Sequence, residues 1–198
     1  NIVIFGAPGS GKGTQSDNLI NYYNLFHIST GEVLRDHINR GTELGKTANE
    51  FISEGQLIPD DLMISILDSV LDEHQESVKE GVIFDGFPRT INQAVSLKDM
   101  LSKHNAKVDI VIGLEVPEEE LVDRLLKRGQ ESGRSDDNHE TIMKRLEVYN
   151  NQTSPLKEFY QNEQIYAAIN GSGSVEKIFE DIKRLLTPRN NKSTLAFT

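Results

Sequence analysis

The sequence predicts an α/β protein with a five-stranded parallel sheet and helices on both faces, and three observations predict it. Apolar runs recur without polar alternation, at residues 2–5, 82–84 and 108–116, and strands of that kind are buried on both sides. Stretches with helical periodicity stand between the runs, which is the alternation of strand and crossover helix. The first run ends in a Gly-rich turn that opens straight into a helix, and in such sheets ligands sit beyond the carboxyl ends of the strands.

Taken in order, residues 2–5 form the first strand and residues 12–23 the helix after the turn. Residues 26–28 are a short strand, after which Ser29 and Thr30 offer side-chain oxygens to cap a helix through about residue 39. Helices over 43–54 and 60–73 separate the second strand from the third, which is residues 82–84 running into Asp85 and Gly86. A helix over 92–103 precedes the strand at 108–116. Pro117 and the three glutamates after it suit a helix N-terminus, because proline presets φ and carboxylates favour the positive end of the dipole; that helix is expected to reach about Arg128. A polar segment, 129–138, then interrupts the pattern. A helix from about His139 is expected to bend or break near Pro155, a last strand covers 165–169, and a closing helix covers 175–186. The polar tail, 187–198, has the composition of a frayed end. No internal repeat is present.

Length allows one core with small inserted lobes: 198 residues, 36% hydrophobic and 26% charged. The chain has no cysteine, which excludes disulfides and thiolate zinc sites. The five histidines are scattered without ligand spacing, so no structural zinc is expected. No run approaches the roughly 18 apolar residues of a membrane span, and no basic segment precedes an apolar signal core, so the expectation is a cytoplasmic protein with no membrane partner. Net charge is −10, which disfavours nucleic acid as a partner. A polyanionic ligand then needs a local pocket, and the placement of individual arginines becomes the informative quantity.

Gly6-Ala7-Pro8-Gly9-Ser10-Gly11-Lys12 has the GxxxxGK spacing between a strand and a helix. Backbone N–H groups of Gly9, Ser10, Gly11, Gly13 and Thr14 and the helix dipole can surround a polyphosphate, with Lys12 supplying a point charge. The strict motif has Ser or Thr after the lysine; here Gly13 stands there and Thr14 follows. Asp85, ending an apolar strand, suits a carboxylate that holds magnesium-bound water beside the loop, and equally an aspartate capping the next turn.

The run Gly6–Gln15 resembles the phosphate loop of adenylate kinases and related nucleoside monophosphate kinases. The likeness continues through Ser29–Arg35, Gly55–Pro59, Asp85–Arg89 and Arg134–Asp137, in the family's order and over nearly the whole chain. It implies a P-loop NTPase fold with core residues 1–28, 59–128 and 139–198, an AMP-binding lobe at 29–58 and a short lid at 129–138. It implies reversible, magnesium-dependent phosphoryl transfer from ATP to AMP, giving ADP, by a monomer. By this resemblance Arg35, Arg89, Arg134 and Arg145 face the AMP phosphate or the migrating group, while Arg128 lies against ATP and Arg124 reaches the phosphates. Lys12, Arg89, Arg124, Arg128, Arg134 and Arg145 thus form the expected catalytic set. Gly86, Phe87, Pro88 and Gln93 join Arg89 in the AMP site, with Gln93 reading the adenine. Thr30 favours adenine over pyrimidines, or caps its helix, or does both. Backbone atoms of Gln56, Leu57 and Ile58 line the acceptor site, or their side chains simply pack. Asp136 and Asp137 tether lid arginines, or are exposed loop acids. The Gly173 carbonyl lies near the ATP adenine, or that residue is only a helix-entry turn.

Two rival readings remain: a UMP/CMP kinase, and a nucleotide-binding regulator without turnover. Thr30 disfavours the first, and the retained Lys12 and arginines disfavour the second.

Overall fold

Ile2, Val3, Ile4 and Phe5 are all buried although their side chains alternate in direction, so this strand must be covered on both sides. The computed structural model, which describes residues 1–134 and 136–187, shows how. Strands β1 (Ile2–Gly6), β2 (Phe26–Ser29), β3 (Val82–Asp85), β4 (Ile110–Glu115) and β5 (Tyr166–Asn170) form one parallel sheet in the order β2-β3-β1-β4-β5. Ile2 and Ile4 meet Leu19, Ile178 and Ile182 on one face, the inward stripes of α1 (Lys12–Tyr23) and α10 (Val175–Leu186). Val3 and Phe5 enter the larger cluster opposite, with Leu67 and Leu71 of α4 (Asp60–Glu73), Leu97 and Leu101 of α6 (Ile91–Lys103), and Leu156 and Tyr160 of α9 (Leu156–Asn162).

Helices α2 (Thr30–Asn39) and α3 (Glu43–Ser53) pack on each other and form the lobe beside the sheet. Beyond β4, α7 (Glu118–Ser132) and α8 (His139–Val148) close a third cluster with Ala7, through Leu121, Leu125, Ile142 and Leu146. The phosphate-loop segment is thereby packed against α7 and α8. No described helix is long and apolar enough to cross a membrane.

Most expected elements stand within two residues of their predicted ends. The helix expected to stop at about Arg128 instead runs to Ser132, so the first four residues of segment 129–138 are helical. Gly129 does not end it because the following segment packs onto that turn: a Cβ there would stand 2.6 Å from the Asp137 carbonyl oxygen. The stop comes at Gly133, in the left-handed region, whose N–H bonds the Gly129 carbonyl. A six-residue helix, α5 (Gln75–Glu80), is too short to show a period and was not expected. The strand expected at 108–116 is trimmed to Ile110–Glu115 by the lengths of its partners β1 and β5. The break near Pro155 is a single π-helical turn, Tyr149–Thr153, joining α8 to Pro155 and α9. Ser135, and the tail from residue 188 onward, lie outside the described residues.

Candidate active site

Strand β1 delivers the chain at Gly6 to the carboxyl edge of the sheet, between its neighbours β3 and β4, and the phosphate loop turns there into α1. Gly11 has φ 94°, and a Cβ on it would meet nothing within 4 Å. The turn needs a left-handed residue, and the absence of a side chain leaves the backbone open to a ligand. Gly9 and Ser10 complete the loop, while Gly13 and Thr14 are exposed in the first turn of α1. The Lys12 ammonium arches back over the loop and donates to the Gly6 carbonyl at 2.8 Å and the Ala7 carbonyl at 2.9 Å. Burial lowers the Lys12 pKa to about 8; Asp85 opposes the shift, and Arg89, Arg145 and Arg128 reinforce it.

Asp85 ends β3 beside β1, with Oδ2 3.9 Å from where a Cβ on Gly13 would stand. Among the described residues no hydrogen bond or ion pair occupies this half-buried carboxylate. A carboxylate facing the phosphate loop, with no hydrogen bond or ion pair among the described residues, fits a hard cation held through water. The capping alternative for Asp85 finds no hydrogen bond to support it.

The side of the cleft facing the phosphate loop is built by α2, α6 and α8 and by the loops after α3 and β3. Ser29 caps α2 by accepting from the Glu32 N–H, which leaves the Thr30 hydroxyl to donate to the Gly86 carbonyl at 2.9 Å. Thr30, Arg35, Gln56, Leu57, Ile58, Gly86, Pro88, Arg89, Gln93 and Arg145 all line this cleft, together with Lys12 and Asp136. Arg89 is fixed twice: its Nε donates to the Gly86 carbonyl at 2.7 Å and its backbone N–H to Gln93 Oε1 at 2.8 Å. Desolvation and then the facing Arg145 lower the Arg89 pKa, with Asp85 opposing, although the side chain still reaches solvent through the cleft mouth. Phe87 does not face the cleft; its ring is buried in the larger core, and a cis peptide joins it to Pro88.

Between α7 and α8, Asp137 is the anchor. Its side chain is fully buried and takes Arg128 in a two-point grip, Nε to Oδ2 at 2.6 Å and a terminal nitrogen to Oδ1 at 2.8 Å. Arg145 adds a bond to Asp137 Oδ1 at 2.7 Å and to Asp136 Oδ2 at 3.0 Å. Burial alone would raise the Asp137 pKa, but the Arg128 hydrogen bond and charge, then Arg145, leave it below the ordinary carboxylate value. The exposed-acid alternative is thereby excluded for Asp137. Arg134 is half-buried outside the cleft lining, its pKa lowered by desolvation and then by Arg128 and Arg35. Arg124 is not brought to this cluster: its guanidinium bonds Glu120 and the Gly171 carbonyl at 2.9 Å. Glu120 also accepts from Ser172, so Arg124 sits at the Gly171–Gly173 loop, where Gly173 precedes the Ser174 cap of α10.

Sequence reasoning missed Asp60 and Tyr149. Asp60 follows Pro59 and looked like a plain helix start; its carboxylate instead accepts from Thr90, Asn92 and Gln93. Tyr149 lines the cleft from the π turn, which no periodicity announced.

The adenylate kinase family profile matches residues 4–165. An adenylate kinase of Bacteroides fragilis is 63% identical over 182 residues, 92% of this chain and 95% of the relative. One of Bacteroides thetaiotaomicron is 61% identical with the same coverage. One of Porphyromonas gingivalis is 53% identical over 178 residues, 90% of this chain and 91% of the relative.

Proposed function

The chain belongs to the adenylate kinase family, and from that premise we propose that its cleft transfers the γ-phosphoryl group of ATP to AMP, reversibly, giving two molecules of ADP. The observation that carries the reading is the convergence of Lys12, Arg35, Arg89 and Arg145 on one cleft between a phosphate loop and the Thr30–Gln93 pocket. So many cations gathered in a chain of net charge −10 are suited to two facing polyphosphates.

In this reading the donor phosphates lie on the loop N–H groups of residues 9–14, with Lys12 leaving its carbonyl contacts to meet them. The acceptor phosphate is held by Arg35, Arg89 and Arg145, and its base enters the pocket near Thr30, Leu57 and Gln93. An oxygen of the acceptor phosphate forms a bond to the γ-phosphorus as the bond to the β,γ-bridging oxygen breaks, with Arg128 and Arg134 drawn in from the lid side. Protein chemistry here is alignment and charge compensation, without a covalent enzyme intermediate. Asp85 would hold the water shell of a magnesium ion, which when bound would offset charge on the donor phosphates. In this reading the protein works as a monomer. Arg124 serves the donor-base loop rather than the migrating group.

The test is an acceptor panel: Mg-ATP with AMP, CMP, UMP or GMP, diphosphates followed by chromatography, and a control without magnesium. Magnesium-dependent ADP formation with AMP alone is expected. Transfer to CMP or UMP moves the assignment to the pyrimidine kinases, and binding without transfer to a regulator.

A further inference from the structure

The Gln93 side chain is 2% exposed and lines the acceptor cleft, yet two of its four hydrogen-bonding positions are already spent inside the protein. Oε1 accepts from the Arg89 backbone N–H at 2.8 Å, and Nε2 donates to Asp60 Oδ1 at 2.8 Å. The chemistry of the two partners decides this orientation. A backbone N–H only donates and an ionised carboxylate only accepts, so the reversed amide would set donor against donor at one end and oxygen against oxygen at the other. The Asp60 carboxylate is itself immobilised, its second oxygen accepting from Thr90 Oγ1 at 2.9 Å and Asn92 Nδ2 at 3.1 Å.

We infer that Asp60 is a specificity-determining positioning residue, which locks the Gln93 amide in one orientation so that the acceptor pocket takes a 6-aminopurine and refuses a 6-oxopurine. The inference rests on the proposed role of Gln93 in reading the acceptor base. With one N–H and one lone pair remaining, the locked amide matches the adjacent N1 acceptor and N6–H donor of adenine. Hypoxanthine carries the same ring with the order reversed, N1–H donor and O6 acceptor, and a freely flipping glutamine would serve both. Asp60 touches neither base; it acts by forbidding the flip, and buried mismatched polar groups are heavily discriminating.

The experiment compares kcat/KM for AMP and for IMP in the wild type and in Asp60→Asn, Asn92→Ala and Gln93→Ala. An asparagine at 60 can present either a donor or an acceptor, which removes one of the two locks, so Asp60→Asn should lower the AMP:IMP ratio by about tenfold or more, partly through a rise in IMP turnover. Asn92→Ala, which leaves the bond between Asp60 and Gln93 in place, should keep the wild-type ratio. A purely structural role for Asp60 would depress both substrates in proportion and leave the ratio alone, and that outcome overturns the inference. An equal fall of the ratio in Asn92→Ala also overturns it. If Gln93→Ala keeps the wild-type ratio, the base-reading role falls and the inference with it; if Gln93→Ala loses the ratio and Asp60→Asn keeps it, only the lock falls. Should Asp60→Asn not fold, nitrogen-resolved NMR of the wild type decides: one Gln93 side-chain amide proton should be shifted downfield and protected from exchange. Two protons exchanging as freely as in a solvated glutamine would overturn the lock.

Discussion

Lys12 combines a functional position with an unfavourable one. Its ammonium is crowded by three arginines and drawn out of water, and only Asp85 and two carbonyls favour the charge. With the folded pKa near 8 and the unfolded value higher, the folded state binds fewer protons between the two. Stability therefore rises as pH climbs through that window, and the charged lysine destabilises the fold at neutral pH. Lys12→Met should unfold no more easily than wild type at pH 7 in thermal melts, while turnover drops about 10²–10³-fold through loss of a phosphate contact. The free enzyme should also lose kcat/KM for ATP above about pH 8, since that profile reports the uncomplexed protein. A profile flat to pH 10 would remove Lys12 from the donor site. Asp85, by contrast, forms no hydrogen bond or ion pair among the described residues, so Asp85→Asn should raise the magnesium requirement and leave AMP affinity close to wild type, as titrations with each would show.

Among the elements, α7 meets the segment at residues 136–138 at a close approach. Gly129 faces the Asp137 carbonyl so closely that a methyl group, 2.6 Å away, must push the segment outward. Gly129→Ala should reduce stability by about 1–3 kcal/mol despite alanine's better helix propensity. It should raise KM for ATP more than KM for AMP, because the displaced Asp137 releases Arg128 first. Acid should act on the same joint. The folded pKa of Asp137 is depressed, so its contribution is present above the unfolded value and is lost as pH falls through the folded one. Here the sequence was only partly legible. The helix start at Pro117 was plain, but its end was not, because Gly129 is a breaker by propensity and a packing residue in place. The phosphate loop could be read because short-range spacing carries it, whereas Thr30 and the arginines were named only through the family resemblance, and Arg124 and Arg134 stand outside the cleft lining. The tethering of arginines by Asp136 and Asp137 was anticipated through the resemblance, while the role of Asp60 depends on which helices meet, and no local pattern holds that information.

At the scale of the molecule, two apolar layers clamp the sheet, and the chemistry occupies only its carboxyl edge. Stability and catalysis should therefore separate. Leu101, fully buried at the far end of α6, should cost about 2–5 kcal/mol when cut to alanine. KM for both nucleotides, measured on the folded fraction at low temperature, should stay within about twofold of wild type, as expected for distant sites. The order of the strands also imposes a schedule on the newborn chain. β1 and the phosphate loop are synthesised before the strands that pair with β1, since among the described residues β1 pairs with β3 and β4, and β2 with β3. Until residue 85 has emerged no ladder can close, and at about 5–20 residues per second that is a wait of several seconds. For that interval the apolar run at residues 2–5 has helices for company and no strand to pair with, which makes it a natural client for a chaperone that shields bare strands.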